Sequence, residues 1–188
     1  MSLTSHSFIP PGWSYNPSAW RERVPLLLIA FAGFMAAGYL ALYQFRIIDH
    51  VWEPFFGNGS IKILNSSVSS LLPVPDAALG AFGYLLDIIA GVIGAPNRWK
   101  TMPWIVIVFG LFVGPLGAVS ILLVVLQPVL FNAWCTFCLV SAVCSVIMIG
   151  PAMDEMLASL QYMAKSKGAG LSLWKVFWGY QTSTLNKK

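Results

Sequence analysis

The chain has 188 residues, 57% hydrophobic and only 10% charged, with a mean hydropathy of +0.74. A soluble domain carries about a quarter charged residues, so this balance excludes an ordinary soluble enzyme and points to one lipid-embedded bundle, with little chain left for a second domain. The net charge of +4 is not a nucleic-acid signal, because the basic residues fall in linkers and tail, where membrane topology places them.

The N-terminal stretch 9–20, with Pro10, Pro11, Gly12 and Pro17 among Trp13, Tyr15 and Trp20, reads as an interfacial, partly extended strap. The polar segment 1–23 leads into an apolar run without a small-x-small cleavage site, which predicts a retained first helix rather than a signal peptide. About 20 apolar residues cross the hydrocarbon core as helix. Residues 24–43 are the first span and 77–94 a shorter second, bounded by Pro75 and Pro96. Residues 103–126 are the third, with Pro115 predicting a kink rather than a break. Residues 134–153 are the fourth, after a short connection at 127–132.

An orientation with both termini cytoplasmic puts nine of the eleven Lys and Arg inside: Arg21, Arg23, Arg98, Lys100, Lys165, Lys167, Lys175, Lys187 and Lys188. Only Arg46 and Lys62 then lie outside, as the charge rule for membrane proteins asks. The predicted location is the inner (cytoplasmic) membrane. The outer segment 44–75 has apolar residues at 61, 63, 64, 68, 71 and 72, most on one helical face, which suits an amphipathic helix over the bundle mouth. Residues 154–165 read as an amphipathic cytoplasmic extension. Trp174, Phe177, Trp178 and Tyr180 then form an aromatic segment suited to a membrane surface or a partner. The organisation is therefore 1–23 N-terminal segment, 24–153 bundle and 154–188 cytoplasmic tail, an all-α integral membrane four-helix bundle.

Small residues at packing spacing (Gly33 with Ala37, Gly80 with Gly83, and Gly110, Gly114 and Gly117) let helices approach closely in lipid. His6 and His50 are isolated, and no metal-ligand cluster, P-loop or dinucleotide fingerprint is present. The three cysteines are Cys135, Cys138 and Cys144. The pair in Trp134-Cys135-Thr136-Phe137-Cys138 falls within one turn at a helix start and can close a disulfide. First-turn amides and the helix dipole favour a thiolate on Cys135, expected to face the aqueous side while Cys138 lies a turn deeper. In an outer compartment disulfide chemistry is permitted. The alternative is two buried cysteines acting as small hydrophobes, the reading also given to Cys144. Asp76, after Pro75, is a helix N-cap candidate. Asp87 sits well inside the second span, where an ionised carboxylate is costly; it either faces the bundle interior as an acid or reaches the cytoplasmic interface.

With these parts in place the sequence resembles the vitamin K epoxide reductase family, including its bacterial disulfide-forming members. The likeness is carried by the Trp134-to-Cys138 motif at the start of the last span and by Pro73-Val74-Pro75-Asp76-Ala77-Ala78-Leu79-Gly80-Ala81-Phe82-Gly83-Tyr84 leading into the second. Ile63-Leu64-Asn65-Ser66-Ser67 and the order of spans, over about residues 25–150, add to it. The resemblance implies that Cys135 exchanges with a thiol carrier and Cys138 reacts at a quinone, ubiquinone or menaquinone. Asp76, Leu79, Gly80, Tyr84 and Cys138 would then hold the quinone, with Asp76 where the family has a polar residue bonding its carbonyl.

Two departures stand out. The family's outer-loop cysteine pair is missing, since residues 1–134 hold no cysteine, and Ser60 occupies one of its places. The tyrosine expected one turn after the second cysteine is Ala142. Two functions follow. One is a quinone-linked thiol–disulfide oxidoreductase served by a thioredoxin-like periplasmic protein; the other is a non-catalytic subunit of a larger membrane complex.

Overall fold

The computed structural model describes residues 9–66, 69 and 73–180. The described residues are helical and turn, without strand: α1 (Trp20–Gln44), α2 (Gly59–Leu64), α3 (Asp76–Val92), α4 (Arg98–Thr101), α5 (Pro103–Phe131), α6 (Thr136–Gly168) and α7 (Leu173–Phe177). Helices α1, α3, α5 and α6 close a four-membered ring in which each touches its two neighbours. Three of them, α1, α5 and α6, are long and apolar enough to cross a membrane. The fourth, α3, has 17 residues, about 25 Å of helix at 1.5 Å per residue. Leu28, Phe31 and Met35 of α1, Leu111, Leu122 and Val129 of α5, and Val143 and Ile147 of α6 point outward. An apolar exterior of this kind is what lipid rather than water satisfies.

The ring closes on small residues, as lipid-embedded helices require. A Cβ on Gly33 of α1 would overlap the ring of Tyr84 on α3. Side chains of α6, from Ile149 to Met156, fill the space left by Gly110, Gly114 and Gly117 of α5. The core behind these contacts includes Leu26, Ala30, Tyr84, Phe109, Val113 and Met148.

Three boundaries differ from the sequence reading. Helix α5 runs unbroken through Pro115 and Pro128 to Phe131, absorbing the connection expected at 127–132. It stops where Asn132 turns left-handed and its amide closes on the Pro128 carbonyl. Helix α6 begins at Thr136 rather than Trp134 and continues past Pro151 to Gly168 as one 33-residue helix. The outer amphipathic helix is short: α2 ends at Leu64, while Val68, Leu71 and Leu72, with Ser67, His6, Lys187 and Lys188, lie outside the described residues.

At the end opposite the cysteines, two arginines hold the C-terminus of α3. Arg23 donates to the carbonyls of Gly91 (2.8 Å), Ile93 (2.9 Å) and Gly94 (2.8 Å). Arg98 donates to those of Ala90 and Ile93 and makes a two-pronged ion pair with Glu155 of α6. Last-turn carbonyls have no partner within their own helix, and both guanidiniums are buried in supplying one. The strap docks on the same region, with Ser18 donating to Glu155 and Trp13 to Gln161 (2.9 Å). Tyr15 donates to Asp154; burial and that carboxylate push its phenol up to about 12.

Candidate functional site

Cys135 is the N-cap of α6, in extended conformation, and its Sγ accepts the amide of Cys138 at 3.1 Å. The two cysteines are joined as a disulfide, with Cα atoms 5.2 Å apart. The extended N-cap turns Cys135 back over the first turn, which brings the sulfurs together at this spacing. The Cys135 amide donates to Oε1 of buried Gln127, near the end of α5, at 3.1 Å.

Cys135 does not face water, contrary to the sequence reading. It is 0% exposed, packed with Leu40 of α1 and with Val51, Ile63 and Leu64 of the outer loop. The physical reason is the loop's own apolar content, which has no better place to bury than the mouth of the bundle. Close approach of α2 needs a glycine, because a Cβ on Gly59 would collide with the carbonyl of Trp134.

Glu53 fastens this cover. Its carboxylate accepts the hydroxyls of Ser60 and Thr136 and the Thr136 amide at 3.2 Å, satisfying a first-turn donor of α6 with negative charge where the dipole favours it. Burial alone would raise the Glu53 pKa; the hydrogen bonds from Ser60, Thr136 and the Phe55 amide outweigh it and hold the carboxyl below the ordinary glutamate value. Sequence reasoning did not single out Glu53. Its one signal was a carboxylate among the aromatic residues Trp52, Phe55 and Phe56, seven residues before Ser60.

Cys138 lies on the other side of the pair, in the wall of a cavity of about 110 Å³ between α1, α3, α5 and α6. Asp76 and Gly80 share that wall, as do Gln127, Ser120 and Ser141. Ala142, standing where the family tyrosine was expected, lines it too. Tyr84 instead borders a smaller neighbouring cavity with Asp87. Leu79 borders neither cavity and is 40% exposed on the outer face of α3. Asp76 is the first residue of α3 rather than its N-cap, which is Pro75. Its Oδ1 accepts from Gln44 (2.6 Å), Ser69 (2.6 Å) and the Ala77 amide (2.9 Å). Cys144 is a free buried thiol in the core. Among the described residues no cluster of metal-ligating side chains occurs.

The arrangement puts one sulfur of the pair under the outer loop and the other in the wall of a cavity inside the helical ring. A family model described as the vitamin K epoxide reductase family matches residues 24–152. No curated protein and no solved structure matches the chain.

Proposed function

The chain belongs to the vitamin K epoxide reductase family, whose members are membrane thiol–disulfide oxidoreductases, and on that premise we propose that Cys135 and Cys138 are a redox centre exchanging electrons with a membrane quinone. The observation that carries this reading is the placement of Cys138 in the cavity wall while Cys135 is turned toward the outer loop.

The cavity fits a quinone ring. Ala37, Leu123, Val124 and Phe131 give apolar walls, and Gln127 and Asp76 give polar points. Gln127 spends its Oε1 on the Cys135 amide, which leaves its Nε2 group as a donor for a quinone oxygen. Asp76 already accepts three hydrogen bonds through Oδ1, so its part is to position Gln44 and the first turn of α3. A bound quinone supplies an acceptor for two electrons and two protons. Which quinone binds, ubiquinone or menaquinone, is set by contacts to its ring substituents.

Cys135 exchanges with an external thiol protein, thioredoxin-like, in the compartment outside the inner membrane, both termini of this chain being cytoplasmic. With no cysteine in residues 1–134, that partner must reach Cys135 itself, which requires α2 and the Glu53 contacts to lift. The burial of Cys135 also favours a second reading, a non-catalytic subunit of a larger membrane complex.

Maleimide trapping in native membranes separates the two. The expected result is a pair that shifts between disulfide and dithiol as the quinone pool is oxidised or reduced, with the shift abolished by C135S. A pair fixed in one state under both conditions refutes the redox centre. A stable complex surviving mild detergent extraction would then support the subunit reading.

A further inference from the structure

Asp87 is 5% exposed, about 10 Å of helix further along α3 than Gly80, and among the described residues no hydrogen bond reaches its carboxyl. It lines a cavity of about 40 Å³, room for a water, which needs roughly 10–15 Å³. Ser120 and Ser141 border both this cavity and the larger one that holds Cys138.

Four hydroxyls run between the two spaces. The Tyr84 hydroxyl is 2.7 Å from Ser145 Oγ, and Ser141 Oγ donates to Tyr84 at 3.3 Å. Ser120 Oγ reaches Ser145 Oγ at 3.3 Å. The Tyr84 and Ser120 hydroxyls also donate to the carbonyls of Ser141 and Leu116 and must rotate from them to pass a proton on; each hydroxyl can take a proton on oxygen while releasing its own. A chain of this kind, beginning at a carboxyl and ending at a substrate cavity, has the parts that move protons within a membrane bundle.

We propose that Asp87 and the hydroxyls of Tyr84, Ser145, Ser141 and Ser120 form a proton relay from the inner half of the bundle to the quinone cavity. The proposal rests on the quinone reading above. Closing the Cys135–Cys138 disulfide from the dithiol releases two electrons and two protons, and conversion of a quinone to a quinol consumes two of each. One thiol proton passes to the quinone oxygen nearer Cys138, and the other leaves at the outer face. Asp87 gives its proton to water or Ser145 in the smaller cavity, Ser120 or Ser141 delivers one to the second oxygen, and Asp87 is reprotonated from the inner side. The proton released outside is thereby balanced by the one taken up inside.

The surroundings leave Asp87 free for this. It borders one cavity with Tyr84 of α3 and Ser145 of α6, and the Cys144 thiol lies in the bundle core. Helix α5 has no ionisable side chain. The cations Arg23 of α1 and Arg98 of α4 hold the carbonyls of residues 90–94 and, for Arg98, Glu155. A purely structural role leaves unexplained why a carboxyl rather than an apolar side chain faces a space that admits water.

The test uses the full chain in lipid nanodiscs, reduced with dithiothreitol and mixed with decylubiquinone, with quinol formation followed between pH 6 and 8 in H₂O and D₂O. D87N is expected to slow quinol formation by about a hundredfold, the lower end of what a positioned proton-transfer group contributes, with an altered pH profile and solvent isotope effect. D87E is expected to restore most of the rate, and the equilibrium of the Cys pair with dithiothreitol to be unchanged. A D87N protein with the wild-type rate and isotope effect overturns the relay. If D87N does not fold, the S120A/S141A double variant removes both hydroxyls that border the two cavities without a change of charge, and a wild-type rate there overturns it equally. A wild-type protein whose pair is reduced by dithiothreitol yet yields no quinol brings down the quinone reading and the relay together. A slow D87N beside an active wild type separates the two.

Discussion

Glu53→Ala should unlatch the outer loop and expose Cys135. The substitution removes the acceptor of two hydroxyls and two amides, those of Thr136 and Phe55. A hydrogen bond to a charged group is worth about 1.5–3 kcal/mol and a carboxylate at a helix N-terminus about 0.3–1. Water re-satisfies Ser60 and Thr136 once the loop lifts, so the net loss is taken as about 2 kcal/mol, the lower part of that range. At 1.4 kcal/mol per tenfold, the open population rises roughly thirtyfold. The assay is the rate of N-ethylmaleimide labelling of reduced protein in a C138S/C144A background, where Cys135 is the single thiol. That rate follows the open fraction when closing is fast. E53Q, which keeps an acceptor and loses the charge, should fall between wild type and E53A. Equal labelling rates for wild type and E53A, with both proteins folded, would refute the claim that Glu53 governs access to Cys135.

Four further outcomes are expected. The Glu53 carboxyl is held below its ordinary value when the loop is closed, so the latch is at full strength above about pH 4.3 and weakens only as pH falls through the closed-state value; labelling with 4,4′-dithiodipyridine, which works in acid, should accelerate there and not between pH 5 and 8. E155A leaves Arg98 buried without its counter-charge and should cost about 3–5 kcal/mol, read as a large fall in thermal midpoint in detergent, with R98M/E155L recovering much of it. G33A drives a methyl group into the Tyr84 ring, whose hydroxyl is tied to Ser141 and Ser145, and should cost about 1–3 kcal/mol, whereas G38A, with open space around its Cβ, should cost nothing measurable by the same melt. C144A should turn over at the wild-type rate in the quinone assay, because that thiol is packed in the core.

The bundle was legible because its signals are long and redundant. Twenty-residue apolar runs and small residues at helical spacing are constrained by lipid whatever else the chain does. Helix ends were less so: α5 extends over Gln127 and Pro128 because tertiary packing keeps the last turn, which apolar length alone does not register. Cys135, Cys138, Asp76 and Gly80 stand out through short local motifs, and the structure places all four at or beside one cavity. Leu79 came with the same motif and points away, since a helix turns neighbouring side chains about 100° apart. Gln127 and Glu53 were missed for one reason. Each acts on the Cys pair across a break in secondary structure, 8 residues before Cys135 and 83 before Thr136, where no periodicity connects them.

Burial of Cys135 changes how the missing loop cysteines should be understood. Here Ser60 is buried and tied to Glu53, and Glu53 is tied to Thr136, so the loop covers Cys135. If the chain is catalytic, opening of this loop must be part of every turnover, and its rate sets a ceiling on exchange with any external thiol. The E53A labelling experiment therefore bears on function as well as stability. A variant that labels faster and also exchanges faster with a thioredoxin-like protein identifies the loop as the gate. A variant that labels faster with no gain in exchange places the limiting step at the quinone side of the pair.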